Sequence, residues 1–148
     1  MNLTSQTIPQ FTKSNCEKAK KIGVKIVSPN RILFQNVDIL SPCALGGVIN
    51  QKTIPKLNCK IIAGGANNCL ENEFTDEKML LKHKITYIPD FVLNCGGFLQ
   101  ALVERSGGTV EEARKKSIVV GERLNKVINY SRKHQLTLLE SATKLFDR

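Results

Sequence analysis

Residues 37–47 read Val-Asp-Ile-Leu-Ser-Pro-Cys-Ala-Leu-Gly-Gly, a short and mostly apolar run that stops at Ser41-Pro42 and leads into a glycine pair. The arrangement returns at 60–65, Lys-Ile-Ile-Ala-Gly-Gly, and in a longer form at 86–97, which begins Thr-Tyr-Ile-Pro-Asp and ends in Gly-Gly. Short apolar runs without strict alternation are typical of strands in a parallel sheet that is covered on both faces. The three stretches predict strands at 37–40, 60–63 and 86–88.

Val24–Val27 is another short apolar run and predicts a strand ahead of these three. Helical segments are predicted between and after the strands, because a capping residue or a face of apolar residues at steps of three and four marks each one. The alternation predicts one α/β layer domain over residues 1–148. Five helices are predicted. The first begins after Ser14 and ends at Gly23, the second runs from after Thr75 to about His83, and the third covers 91–103 with an interruption at Gly96-Gly97. The last two begin after Thr109 and after Thr137.

The composition describes a globular chain with an excess of positive charge. The 148 residues include 22 Lys and Arg against 13 Asp and Glu, a net charge of +9. The excess divides as +5 in residues 1–36, zero in 37–100 and +4 in 101–148, so the glycine-rich centre is neutral. With no tryptophan, only two tyrosines and no nucleic-acid motif, a solvated helix face explains the basic residues of 114–133 better than a nucleic-acid partner does.

Five cysteines, an odd number with no CxxC spacing, argue against a disulfide framework or a thiolate metal site and favour a reducing cytoplasm. No apolar run reaches the roughly 18 residues that a membrane span needs, and the first residues do not resemble a secretory signal. Catalysis by the thiol of Cys43 is not favoured, since its neighbours in sequence offer no base. A small thiol packed beside a loop explains this residue equally simply.

Eight of the ten glycines occur as four adjacent pairs, and the first three pairs follow predicted strands. Ligands of open α/β sheets bind at the carboxyl ends of strands, where glycine lets the backbone approach them closely. Paired glycines also occur commonly in ordinary turns that bind nothing. Asn67-Asn68 and Asn94 stand beside two of the pairs, and side-chain amides can both donate and accept hydrogen bonds. The pattern therefore favours a ligand site at these loops.

Three segments, at 38–50, 62–68 and 87–97, resemble segments of the leucine, phenylalanine and valine dehydrogenases in their order and spacing. The resemblance extends over roughly residues 15–147. It implies a partial Rossmann-like parallel sheet with flanking helices and a helical C-terminal tail, which is a truncated form of the family's dinucleotide-binding domain. It also implies NAD as cofactor and oxidative deamination of an L-amino acid to its 2-oxo acid.

The resemblance assigns roles to individual positions. It implies that NAD contacts Cys43, Ala44, Ala66, Asn67, Asn68 and Asn94, and that the substrate contacts Asn68, Phe98 and Ala101. Glutamate dehydrogenases have a serine at the position of Ala101, where it helps to bind the distal carboxylate of the substrate. The resemblance therefore implies that Ala101, which has no hydroxyl, favours a small apolar amino acid as substrate. No metal site is expected.

Two parts of the resembling enzymes have no counterpart in this sequence. There is no GxGxxG turn, which holds the pyrophosphate of a dinucleotide. The catalytic Lys and Asp of those enzymes lie in a separate N-terminal domain, and His83, His134, Lys82 and Lys84 stand on predicted helices away from the glycine loops. We therefore expect the C-terminal part of such an enzyme, from a truncated or split gene, that is inactive alone. Three alternatives stay open: one half of a split enzyme with a separately encoded N-terminal catalytic half, a non-catalytic nucleotide-binding or interaction module, and a homo-oligomer.

Overall fold

The computed structural model describes residues 13–147, and the chain divides into two compact units, Met1–Tyr87 and Ile88–Arg148. The described part of the first unit alternates helices and strands, whereas that of the second consists of helices. The elements of the first unit are α1 (Lys13–Lys21), α2 (Pro29–Ile32), β1 (Ile39–Leu40), a 3₁₀ turn (Ile54–Lys56), β2 (Ile61–Ile62), α3 (Glu73–Lys82) and β3 (Thr86–Tyr87). Those of the second are α4 (Asp90–Leu93), α5 (Gly96–Arg105), α6 (Val110–Ser117), α7 (Val119–His134) and α8 (Leu138–Leu145).

The first unit is built on a parallel sheet in the order β1-β2-β3. Ile39 is in register with Ile61, and Ile61 with Thr86. Buried apolar side chains from the strands, from α3 and from the connecting segments form one core against the sheet, as an α/β layer requires. Its fully buried members include Ile49, Ile54, Ile62 and Leu80. The predicted α/β class with a partial Rossmann-like sheet and flanking helices is confirmed.

One exposed ion pair lies beside the sheet, between the residues that precede β1 and β2. The Lys60 ammonium is 2.8 Å from a carboxylate oxygen of Asp38. The hydrogen bond and charge of Lys60 lower the pKa of Asp38, and Asp38 in turn raises the pKa of Lys60. Because both side chains are exposed, the pair adds little to the stability of the fold.

Three of the four predicted strands are confirmed, and the prediction for Val24–Val27 is wrong. These residues follow the left-handed turn at Gly23 and belong to no strand and no isolated bridge among residues 13–147. A strand is stable only when a neighbour completes its hydrogen-bond ladder, and the described residues place no such neighbour beside this run.

The capping boxes predicted at Thr109 and Thr137 are confirmed, with Glu112 and Glu140 bonding back to the cap backbone. The predicted start of α3, directly after Thr75, is wrong by three residues, since the helix begins at Glu73. Asn72 caps it, with its side-chain oxygen accepting from the Thr75 N–H at 3.1 Å. The cap predicted at Ser14 depends on a side chain outside the described residues.

In the second unit, α4 and α8 pack against α7, and α5 packs against α6. Val92, Val127 and Ala142 form the centre of one cluster. One buried or half-buried face follows steps of three and four along α6 and α7, and a turn at Ile118 divides it between the two helices. Its members are Ala113, Ser117, Val120, Leu124, Val127 and Ser131. No helix among residues 13–147 is long and apolar enough to cross a membrane.

The hydroxyl of Ser141 on α8 is fully buried and has no hydrogen-bond partner within the described part of the chain. A buried hydroxyl without a partner loses its hydration without compensation, and alanine also favours helix. We predict that Ser141→Ala raises the free energy of unfolding by about 1 kcal/mol, measured by urea denaturation. Ser106→Ala, which removes an exposed hydroxyl that donates to Leu102 O at 2.9 Å, is the control and should not stabilise. A less stable Ser141→Ala protein would contradict the prediction.

Candidate functional site

Two loops lie side by side at the carboxyl edge of the sheet of the first unit. Residues 41–47 (the β1 loop) follow β1, and residues 63–68 (the β2 loop) follow β2. The Ala66 N–H donates to Pro42 O at 3.0 Å, and the Gly47 N–H donates to Asn68 O at 2.8 Å. Each loop therefore fixes the other at two points, and the pair forms one backbone unit at the edge where open α/β sheets bind ligands.

Two glycines allow this close approach. A Cβ atom at Gly64 would overlap the carbonyl oxygen of Pro42 and would lie 2.9 Å from Pro42 Cδ. A Cβ atom at Gly46 would lie 2.7 Å from Asn67 O and 2.9 Å from Asn68 O. Gly47 adopts a φ of +68°, which glycine allows at no steric cost. Glycine is therefore needed at Gly46, Gly47 and Gly64, where one loop meets the other.

The structure brings together the five predicted contact residues of the first unit. Cys43 is exposed, and its Sγ lies 3.3 Å from Ser41 Oγ. Ala44 is half-buried, Ala66 is buried, and the side chains of Asn67 and Asn68 are exposed. The edge thus presents a small thiol and two amides on a backbone that is held in place.

Three residues shape this edge, and their roles could not be derived from the sequence pattern alone. The buried Cys69 donates from Sγ to Ala66 O at 3.2 Å and so supports the β2 loop from within. Asn68 adopts a φ of 51°, a left-handed conformation that asparagine tolerates better than most residues. Leu45 is 64 % exposed, a large apolar side chain in the middle of the β1 loop.

The other three predicted contact residues belong to the second unit. Asn94 ends α4, and its N–H donates to Asp90 O at 2.8 Å. Phe98 and Ala101 lie three residues apart on α5 and therefore share a face. Both are exposed, Phe98 to 67 %, and Leu102 one position further is 45 % exposed. This face of α5 is apolar and accessible.

In the first unit, the histidine and lysines considered as acids or bases do not lie at the loop edge, and in the second unit His134 lies on α7 rather than on α5. Lys82, His83 and Lys84 occupy the end of α3 and the turn into β3. That turn precedes β3, so it lies at the amino edge of the parallel sheet, opposite the two loops. His83 Nδ1 lies 2.9 Å from Met79 O, and the His134 ring packs on Tyr130 in α7. Both histidine rings therefore have local structural contacts.

The cysteines form no disulfide, and no cluster of three or more metal-ligating side chains occurs in the part of the chain that the structure describes. Burial raises the pKa of the Cys59 thiol, which disfavours its reactive thiolate. Neither observation indicates a metal site or a reactive thiol at the β1 loop or the β2 loop.

Comparisons with known proteins agree with this geometry. The family model described as glutamate/leucine/phenylalanine/valine dehydrogenase matches residues 3–144. The chain belongs to this family. It is 39 % identical over 133 residues to an L-tryptophan dehydrogenase of Nostoc punctiforme and 37 % identical over 127 residues to a leucine dehydrogenase of Thermoactinomyces intermedius. Both of these relatives are amino-acid dehydrogenases, as the resemblance implied.

The solved structures extend the likeness to three dimensions. The crystal structure of L-tryptophan dehydrogenase from Nostoc punctiforme superposes with a TM-score of 0.84 at 38 % identity over 91 % of this chain. A glutamate dehydrogenase of Thermus thermophilus, at 17 % identity and a TM-score of 0.67, shares the fold. The match to the L-tryptophan dehydrogenase includes 89 % of this chain but only 38 % of that enzyme. The match to the leucine dehydrogenase includes 34 % of that enzyme.

Adjacent glycines of the β2 loop provide a matched test of the loop contact. We predict that Gly64→Ala lowers the free energy of unfolding by about 1–3 kcal/mol, because the new methyl group overlaps the Pro42 backbone. Gly65→Ala is the control, since its methyl group would meet only Cys43 Sγ at an ordinary 3.5 Å. Thermal unfolding of both variants measures the difference. Equal stability of the two would show that the loops do not need this approach.

Proposed function

We propose that this chain forms the cofactor-facing part of an NAD-dependent dehydrogenase that oxidatively deaminates an apolar L-amino acid to its 2-oxo acid. The observation that carries the proposal is the pair of loops joined by the hydrogen bonds Ala66 N–H to Pro42 O and Gly47 N–H to Asn68 O. They form a rigid ligand edge at the carboxyl ends of β1 and β2. Membership of the dehydrogenase family supports the same reading.

The residues at the loop edge suit one end of the dinucleotide. The amides of Asn67 and Asn68 can donate to and accept from a carboxamide and ribose hydroxyls, while Cys43, Ala44 and Ala66 leave room for close approach. The amide of Asn94, in the second unit, is proposed as a further NAD contact. When bound, NAD accepts a hydride from the substrate. The chain lacks the GxGxxG turn for the pyrophosphate, so in this proposal that contact comes from a partner.

The substrate side chain is proposed to contact the apolar face of α5. Phe98 and Ala101 offer apolar surface and no cation or hydroxyl for a distal carboxylate, which favours an apolar amino acid. Asn68 is proposed to contact the polar end of the substrate. This assignment agrees with the names of the tryptophan and leucine dehydrogenases among the relatives.

Proton transfer is proposed to come from a partner. Deamination needs a base that takes protons from the amine and from water. Since Lys82, His83 and Lys84 lie at the opposite sheet edge and His134 packs on Tyr130, a partner carrying the family's catalytic domain would supply these groups.

Cysteines without disulfides fit a cytoplasmic location, and assembly into a homo-oligomer is compatible with this arrangement.

Cofactor binding by the chain gives a first test of this proposal. We predict that NADH binds with an increase in nicotinamide fluorescence and that Asn68→Gly weakens binding about 2- to 10-fold, the effect of one lost hydrogen bond. Glycine keeps the positive φ of Asn68 while removing its amide.

The matched control is Gln135→Gly, which replaces another exposed residue of positive φ (55°), at the end of α7. It should bind NADH like the parent chain. No binding by the parent chain at about 1 mM NADH, a free energy weaker than about −4 kcal/mol, would contradict the proposal.

Turnover by the purified chain is a second test of the proposed function. The chain should reduce no NAD with leucine, phenylalanine or tryptophan, because the proposed site has no proton acceptor of its own to complete deamination. Absorbance at the NADH band measures this directly, with a full-length leucine dehydrogenase as positive control. Turnover by the chain alone would show that its own residues suffice and would overturn the proposed division of roles.

A further inference from the structure

The turn that follows the β1 loop is closed by one side-chain amide. Asn50 is half-buried, and its Nδ2 donates to Gly47 O at 2.9 Å. Its Oδ1 accepts from the backbone N–H groups of Lys52 and Thr53 at 3.0 and 3.2 Å. Because these two N–H groups need an acceptor, the amide has the orientation that aims its nitrogen at Gly47. Asn50 therefore ties the end of the β1 loop to the turn before the 3₁₀ segment.

The hydroxyl of Thr53 holds the same turn in a different way. Thr53 Oγ1 donates to Val48 O and accepts from the Asn50 N–H, both at 2.9 Å. The Ile54 N–H also donates to Asn50 O at 2.9 Å. Thr53 thus supports the backbone of Val48 and Asn50, whereas the side chain of Asn50 supports Gly47.

Gly47 connects this turn to the β2 loop. Its carbonyl accepts from Asn50, and its N–H donates to Asn68 O at 2.8 Å. The Ile49 N–H continues the contact by donating to Cys69 O at 3.1 Å. Glycine has the widest range of backbone conformations, so the hydrogen bonds on both polar groups of Gly47 are what keep it at its φ of +68°. Loss of the Asn50 bond would release one side of the residue that holds Asn68.

We propose that Asn50 is a positioning residue of the candidate site: its amide fixes the Gly47 peptide and, through that peptide, the place of Asn68 at the ligand edge. Asn50 acts on the backbone and not on the ligand. The inference rests on the proposed function, in which Asn68 contacts NAD and the substrate. It adds to that function a residue of the turn beyond the β1 loop that sets the geometry of the contact.

NADH titration of matched variants tests the proposal. Asn50→Asp keeps the size of the side chain and the acceptor that the turn uses, but an oxygen replaces the donor to Gly47. Asn50→Ala removes the donor without adding charge. We expect both to raise the Kd for NADH about 2- to 10-fold, the effect of one lost hydrogen bond, measured from the midpoint of the nicotinamide fluorescence titration.

Asn58→Asp is the matched control for charge. It adds the same charge at an exposed residue that precedes β2, at the edge of the sheet opposite the two loops, and should bind NADH like the parent chain. A residue that only stabilises the fold changes the folded fraction, not the Kd of the folded molecules. A parent-like Kd in both Asn50 variants would overturn the proposal. A higher Kd in Asn50→Asp alone would assign the effect to charge and would overturn it as well.

Hydrogen exchange of Asn50→Asp without cofactor is a second readout, and it does not depend on how Asn50→Ala folds. We expect the Gly47 N–H to lose protection about 2- to 10-fold. The Ile85 N–H, which donates to Leu80 O at 3.0 Å in the core, should keep its protection. Unchanged protection at Gly47, or an equal loss at both amides, would overturn the proposal.

The two readouts separate this inference from the proposed function. Loss of protection confined to Gly47, in a chain whose parent binds no NADH, would support the role of Asn50 in fixing the loops and would contradict only the proposed function. NADH binding by the parent chain with a parent-like Kd in both Asn50 variants would contradict only the role of Asn50.

Discussion

The close approach of the Pro42 backbone to Gly64 is the constraint on which the arrangement of the first unit's site depends. It permits the Ala66 N–H to reach Pro42 O at 3.0 Å, and with the bond from Gly47 to Asn68 it joins the β1 and β2 loops into one unit. Any side chain at Gly64 would separate them. The positions of Cys43, Asn67 and Asn68 follow from this contact, because each stands on a backbone that the neighbouring loop holds.

In the first unit, the parallel sheet separates the two glycine-containing loops from the histidine and lysines that were considered as bases. Its carboxyl edge carries glycines and amides, whereas the turn into β3 with His83 and Lys84 lies at the amino edge. The physical consequence is an edge that offers amide hydrogen-bonding groups with none of these bases beside it. In the proposed function, the groups that transfer protons therefore come from a partner.

Much of the fold could be predicted because local signals and tertiary packing agree. The strands at Ile39–Leu40, Ile61–Ile62 and Thr86–Tyr87 lie inside the predicted runs, and the caps at Thr109 and Thr137 form as expected. Two predictions failed for identifiable reasons. Asn72 competes successfully with Thr75 as the cap of α3, and Val24–Val27 has strand composition but no neighbour to complete its ladder.

The α/β class, the family, and the loops in which the candidate residues stand could be derived from the amino-acid sequence alone, since apolar runs, capping residues and glycine pairs are local features. The three-dimensional fold was needed to show why glycine is required at Gly46 and Gly64, which atoms join the two loops, and that a turn at Ile118 divides the long helical face. These depend on contacts between segments distant in the chain, which no local pattern encodes.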